Sequence, residues 1–160
     1  PLQLANATSL LASGGSSVTP HLFLRSIDRI NNEVANFNYN DNQNFIEIDT
    51  QSLHVVNEAM WRVIYDNKVG TASHIKKIEG LEFAGKTGTA QVYNLDKGKT
   101  GIKALQDHAL FISFAPFESP EIVVSVIVDN GGSGSAVAAP IARNVINYYF
   151  ENIKSKVAMQ

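Results

Sequence analysis

The chain has no cysteine. That rules out a disulfide framework and thiol chemistry, and leaves the compartment open. It has no long apolar run either. The longest, around Ile122–Val128, is far short of the roughly 20 residues that span a bilayer. No secretory leader pattern opens the chain. Neither sign of charge dominates: 13 lysines and arginines stand against 15 acids, a net charge of −2. Nothing in that balance favours nucleic acid or an anionic membrane, so no nucleic-acid partner is expected. His21, His54, His74 and His108 lack ligand spacing, so no metal and no other cofactor is expected. No internal repeat is visible.

What remains suits one domain. A chain of 160 residues can bury a real core. Its 44% hydrophobic and 18% charged residues are those of a globular protein. The opening Pro1-Leu2-Gln3-Leu4 reads as the middle of a longer protein.

Apolar groups at Leu2, Ala5 and at Leu4, Ala7, Leu10, Leu11 predict a helix over Leu2–Ala12, ended by Gly14-Gly15. His21–Leu24 reads as a short extended piece. Residues 31–44 hold seven asparagines and read as a loop. Phe45–Ile48 reads as a short strand. Thr50 or Ser52 is placed to cap a helix of about four turns bearing Leu53, Val56, Ala59, Met60, Val63 and Ile64. Met60 and Trp61 read as core residues of that helix. The helix stops near residues 67–70, and Gly70–Gly80 is a polar loop. Strands follow at Leu81–Tyr93, His108–Ala115 and Ile122–Val128. Asn94–Gln106 is a surface loop. The link between the last two strands is too short for a crossover, so they are antiparallel. Both of their faces are apolar, which calls for helices on both sides of the sheet. Asn130–Gly134 is a tight turn into a final helix whose apolar face is Val137, Ile141, Val145, Tyr148 and Tyr149. Pro140 fits only in its first turn. The fold class is α+β, an antiparallel sheet flanked by helices.

The chemistry concentrates in Phe83–Val92. Gly85 and Gly88 leave bare backbone on either side of Lys86-Thr87, where another backbone can approach. Thr87 and Thr89 share one side of a strand. Two hydroxyls and an ammonium suit a carboxylate. Strict alternation points Lys86 the other way, so a single site requires a twisted edge beside a cleft. The plain alternative is an edge lysine that deters aggregation.

Gly80–Thr87 also fits the P-loop spacing G-x-x-x-x-G-K-T. That mechanism needs a helix to begin at Lys86-Thr87, and Gly88–Tyr93 is poor helix material. Asn130–Gly134 loosely matches a dinucleotide turn, but no βαβ unit surrounds it. Ser73-His74-Ile75-Lys76 matches Ser-x-x-Lys, a serine activated by a lysine one helical turn later. It falls in a predicted loop and reads as coincidence, as does Tyr65-Asp66-Asn67. His108 opens a strand and is either a strand-end polar group or part of a cleft.

Lys86-Thr87-Gly88-Thr89-Ala90-Gln91 resembles the Lys-Thr-Gly box of penicillin-binding proteins and serine β-lactamases. Pro1–Ala5, Gly70-Thr71-Ala72, His108–Pro116 and Asn130-Gly131-Gly132 fall in the order seen in class B D,D-transpeptidases. Within these the chain is most similar to the elongation-type penicillin-binding protein 2 group of Gram-negative bacteria. The match covers most of the chain and is weakest at residues 16–50 and 94–106. Lys99-Thr100-Gly101 repeats the triplet in a polar loop.

The resemblance implies the C-terminal part, residues 1–160, of a transpeptidase domain whose sheet has five strands. One or two of those strands would come from upstream sequence, leaving an edge open or paired with a second copy. It implies a parent enzyme that cross-links stem peptides ending in D-Ala-D-Ala and is acylated by β-lactam antibiotics. The parent would work with cell-wall elongation proteins on the periplasmic side of the inner membrane, held there by an anchor outside this chain. Lys86 and Thr89 would be catalytic. Thr87, Gly88 and Thr89 would bind substrate, with the Thr89 N–H as an oxyanion donor. The serine nucleophile and its Ser-x-Asn partner would lie outside these residues, leaving this polypeptide inactive by itself. A non-catalytic module that binds peptidoglycan or a partner protein is the second reading.

Overall fold

A computed structural model describes residues 1–23, 25–31, 34–36, 44–91 and 106–154. Helix α1 (Leu2–Ala12) ends at Ser13, as the glycine pair predicts. Two small two-stranded sheets follow. Strands β1 (Ser16–Ser17) and β4 (Asn44–Phe45) pair antiparallel, as do β2 (Arg25–Ile27) and β3 (Val34–Asn36). His21–Phe23 is not a strand; pairing begins at Arg25, beyond the expected segment. Val34–Asn36 is a strand inside the expected asparagine loop. The expected strand at residues 45–48 is paired only in its first half, through β4 and the Ile46 N–H, which donates to Gly15 O at 2.8 Å.

Helix α2 (Thr50–Tyr65) is capped by neither Thr50 nor Ser52. The cap is Asp49, whose Oδ2 accepts the Ser52 N–H at 2.8 Å. A carboxylate there also meets the positive end of the helix dipole. The buried stripe of α2 differs from the expected one. Met60 and Ile64 are buried, whereas Val56 and Ala59 are exposed. Trp61 is half-buried, stacks on Tyr65 at 5.0 Å, and donates its indole N–H to Glu82 at 3.0 Å.

The main sheet has three antiparallel strands in the order β5 (Ala84–Ala90), β6 (His108–Ala115), β7 (Ile122–Val128). Strands β6 and β7 have the predicted bounds. Strand β5 is shorter than expected; Leu81 forms only a bridge to Ile78. Val92 and Tyr93, and most of the predicted loop after them, lie outside the described residues.

The pleat sorts β6 by face. Ala109, Phe111 and Ala115 face a core built with Ile64, Ala72, Ile75, Phe83, Val124 and the final helix. Phe114 faces the other way, into a smaller cluster with Met60 and Ala84, against which Ala12 of α1 packs. Helices therefore flank both faces, as expected. The loop after α2 is more than a polar connection, since Ala72 and Ile75 are buried core residues.

After β7 the chain turns through Asn130, at φ 53°, and enters a π-helical turn, Gly134–Ala138, that runs into α3 (Ala139–Tyr148). A second π-helical turn, Tyr149–Lys154, follows. Pro140 sits in the first turn of α3. The apolar face expected of this helix packs only in part: Val137 lies against the core and Tyr149 is half-buried. Ile141, Val145 and Tyr148 are exposed, while Ala138, Ala139, Ala142 and Ile146 are fully buried. Small residues let the helix lie close on the sheet, where Phe111 supplies the bulk. The closest approach is at Gly134. A Cβ there would stand 2.3 Å from the Gly88 carbonyl oxygen and 2.5 Å from that of Leu110.

Candidate functional site on the β5 edge

Strand β5 is an edge of the sheet, with β6 as its only described partner. In an antiparallel pair, the N–H and C=O of one residue point to the same side, and sides alternate along the strand. The Gly88 and Leu110 carbonyl oxygens both lie within 2.5 Å of where a Cβ on Gly134 would stand, so both sit between β5 and β6. Residues 84, 86, 88 and 90 continue that phase. The backbone groups of Thr87 and Thr89 therefore point away from β6, along the free edge.

Lys86 confirms the phase. Its ammonium donates to the Thr87 carbonyl oxygen at 2.6 Å. This bond bears on the difficulty that alternation poses. The Lys86 Cβ leaves on the side opposite Thr87 and Thr89, but its long stem bends around the open edge. The ammonium then reaches the rim that the Thr87 and Thr89 backbone occupies. Lys86 and Thr89 are exposed and Thr87 and Gly88 half-buried, so the segment is accessible.

The glycines act differently from the expectation. A Cβ on Gly85 would meet the Phe111 ring at 2.4 Å, so that glycine makes room for a core aromatic. The face of Gly88 is limited by Leu110, and the backbone that does approach it is Gly134. Among the described residues no strand pairs with the outward edge.

One partner of this strand has no predicted role. Thr71 Oγ1 lies 3.0 Å from Thr87 Oγ1. Its flanks are pinned. Gly70 N–H donates to Asp66 O at 2.9 Å, and Ala72 N–H to Val63 O at 2.9 Å. A Cβ on Gly70 would crowd the carbonyl oxygens of Asp66, Arg62 and Val63 within 2.8 Å. The only trace of this in the sequence is the Gly70-Thr71-Ala72 triplet.

Other candidate residues have plain roles. Ser73 and His74 lie in a turn and Ile75 in a bend, so the segment does not open a helix. Ser73 is engaged through its carbonyl, which accepts from Lys77 Nζ at 2.9 Å; Lys77 also donates to the Ile64 carbonyl. Burial holds the Lys77 ammonium below the usual lysine range and pushes the neighbouring Tyr65 hydroxyl up. His108 Nδ1 accepts the Asn130 N–H at 3.0 Å. The ring thus anchors the turn after β7. Lys86-Thr87 lies mid-strand, so no helix N-terminus exists there for a nucleotide phosphate. No set of three or more His, Asp or Glu is grouped as for a metal among the described residues. No helix among them is long and apolar enough to cross a membrane.

The penicillin binding protein transpeptidase domain family matches this chain over residues 1–147. The chain belongs to that family. It is 36% identical over 157 residues to the peptidoglycan D,D-transpeptidase MrdA of Haemophilus influenzae. That alignment covers 93% of this chain and 23% of the relative, so the chain spans under a quarter of that protein's length. Pseudomonas aeruginosa PBP2, solved in complex with WCK 5153, matches at a TM-score of 0.72 and 34% identity, over 93% of this chain and 30% of that one. Penicillin-binding protein A of M. tuberculosis, solved as an imipenem acyl-enzyme complex, matches at a TM-score of 0.65 and 29% identity, over 94% of this chain and 30% of that one. The α+β arrangement of this transpeptidase-family chain, a sheet between helices, is the fold those relatives share.

Proposed function

We propose that residues 1–160 are the C-terminal portion of one transpeptidase domain. The longer protein cross-links peptidoglycan stem peptides and is acylated by β-lactams. The observation that carries this reading is the free β5 edge, where the Lys86 ammonium meets the Thr87 carbonyl beside the outward backbone of Thr89. The names of the relatives support it.

In this mechanism a serine from outside the chain attacks the D-Ala-D-Ala carbonyl. D-alanine leaves, and an amine of a second stem takes the acyl group. Thr87 and Thr89 hold the terminal carboxylate by their hydroxyls. Lys86 adds positive charge and hydrogen bonds to the proton-transfer network. The Thr89 N–H donates to the oxyanion. The substrate backbone lies along the β5 edge as an added strand, beside Gly88. The longer protein works on the periplasmic face of the inner membrane, anchored by a segment outside this chain, together with cell-wall elongation proteins.

Acylation of the longer protein by benzylpenicillin tests the reading. Loss of one such preorganised group costs about 10²–10³ in rate. Lys86→Ala and Thr87→Val should each slow acylation on that scale, or somewhat below it, with folding retained. Unchanged acylation in both variants would remove the site from the β5 edge and favour a non-catalytic binding module.

A further inference from the structure

We propose that Thr71 is a positioning residue: its hydroxyl donates to Thr87 Oγ1 and so turns the Thr87 proton toward a ligand carboxylate. This rests on the reading that Thr87 binds that carboxylate.

The two hydroxyl oxygens lie 3.0 Å apart, and either could donate. A hydroxyl has one proton and two lone pairs; an ionised carboxylate only accepts. If Thr87 gave its proton to Thr71, it would present lone pairs to the anion. With a carboxylate bound, the only attractive order is Thr71 to Thr87 to carboxylate. Bonds in such a chain polarise one another, so the proton facing the anion becomes a stronger donor.

The location of Thr71 favours this role. It is exposed, so its side chain contributes little to the core. Its neighbours are fixed: Gly70 against the end of α2, and Ala72, fully buried, in the main core. The Ser73 N–H donates to Gly70 O at 3.2 Å, closing the turn around Thr71. The fold thus fixes a hydroxyl beside the β5 edge from a different segment of chain. Only a hydroxyl at position 71 can do this; a valine of the same shape cannot.

The experiment measures acylation of the longer protein by benzylpenicillin and by its methyl ester, which lacks the charged carboxyl. Thr71→Val should slow acylation by benzylpenicillin about tenfold, the scale of one weakened hydrogen bond to a charged group. The loss with the ester should be much smaller. Thr71→Ser should restore the rate with benzylpenicillin. In the Thr71→Val/Thr87→Val double variant, the Thr71 change should add almost nothing to the Thr87 change, because both act through one donor. Equal slowing with both compounds, no rescue by serine, or full additivity overturns the proposal. A normal rate in Thr71→Val beside a slow one in Thr87→Val overturns it and leaves Thr87 as the carboxylate ligand. A normal rate in Thr87→Val overturns both. Thr71→Ala, judged by the same ratio of the two compounds, serves if the valine variant misfolds.

Discussion

At the scale of residues, burial and hydrogen bonding decide what each polar group does. Asp49 and Lys86 are both charged and accessible, but their surroundings differ. The Asp49 carboxyl sits below the usual carboxylate range because the Ser52 hydroxyl and then its N–H stabilise the anion. The unfolded chain lacks those bonds, so its carboxyl keeps the ordinary value. A folded value below the unfolded one means stability that is complete above the unfolded value and fades as pH falls through the folded one. In thermal melts of the longer protein, Asp49→Ala should therefore melt earlier than wild type at about pH 7, and the gap should narrow toward about pH 3. A gap that stays constant with pH would mean the carboxylate is not the capping group. Lys86 has no acid partner among the described ion pairs, and its ammonium rests on a main-chain oxygen. A cation held that way can turn to an incoming anion at little cost.

At the scale of elements, the central contact is between the final helical run and β5. The π-helical turn at Gly134–Ala138 presses on the Gly88–Leu110 pair from one face. The neighbours of a Cβ at Gly134 are main-chain oxygens of the sheet, which cannot rotate away. Gly134→Ala must push the helix outward or bend β5. The cost is that of overpacking, about 1–3 kcal/mol or more. The expected result is a lower Tm together with slower acylation by benzylpenicillin, since Thr87 and Thr89 flank the displaced residue. Gly80, with no heavy atom within 4 Å of the same added Cβ, is a control for crowding, although its φ of 70° adds backbone strain of its own. A Gly134→Ala variant with normal Tm and acylation would mean that the helix does not brace the strand.

At the scale of the whole molecule, the chain carries one rim of a site on the proposed reading. Ser73–Lys76, the one Ser-x-x-Lys in the sequence, does not open a helix, and the Ser73 carbonyl is engaged by Lys77. On the proposed reading the nucleophile comes from elsewhere in the longer protein. Fluorescent penicillin should therefore label the longer protein and not this polypeptide alone. Rapid stoichiometric labelling of the 160-residue chain, mapped to Ser73, would reverse that conclusion.

The sequence by itself determined the elements whose patterns are local. Helix α1 and its end, strands β6 and β7, and their antiparallel order follow from apolar spacing, glycine placement and a link too short to cross over. The strand nature of Lys86–Thr89, and with it the rejection of a phosphate loop, was legible for the same reason. Tertiary structure alone decided which helix faces are buried, because small residues can pack where larger apolar ones remain exposed. It also decided why Gly85 and Gly134 are glycines, and which group caps α2. Above all it decided that Lys86 and Thr87 meet on one rim and that Thr71, sixteen residues away in the chain, touches Thr87. Those contacts depend on an open sheet edge and on a loop pinned to another helix, and neither leaves a period in the sequence.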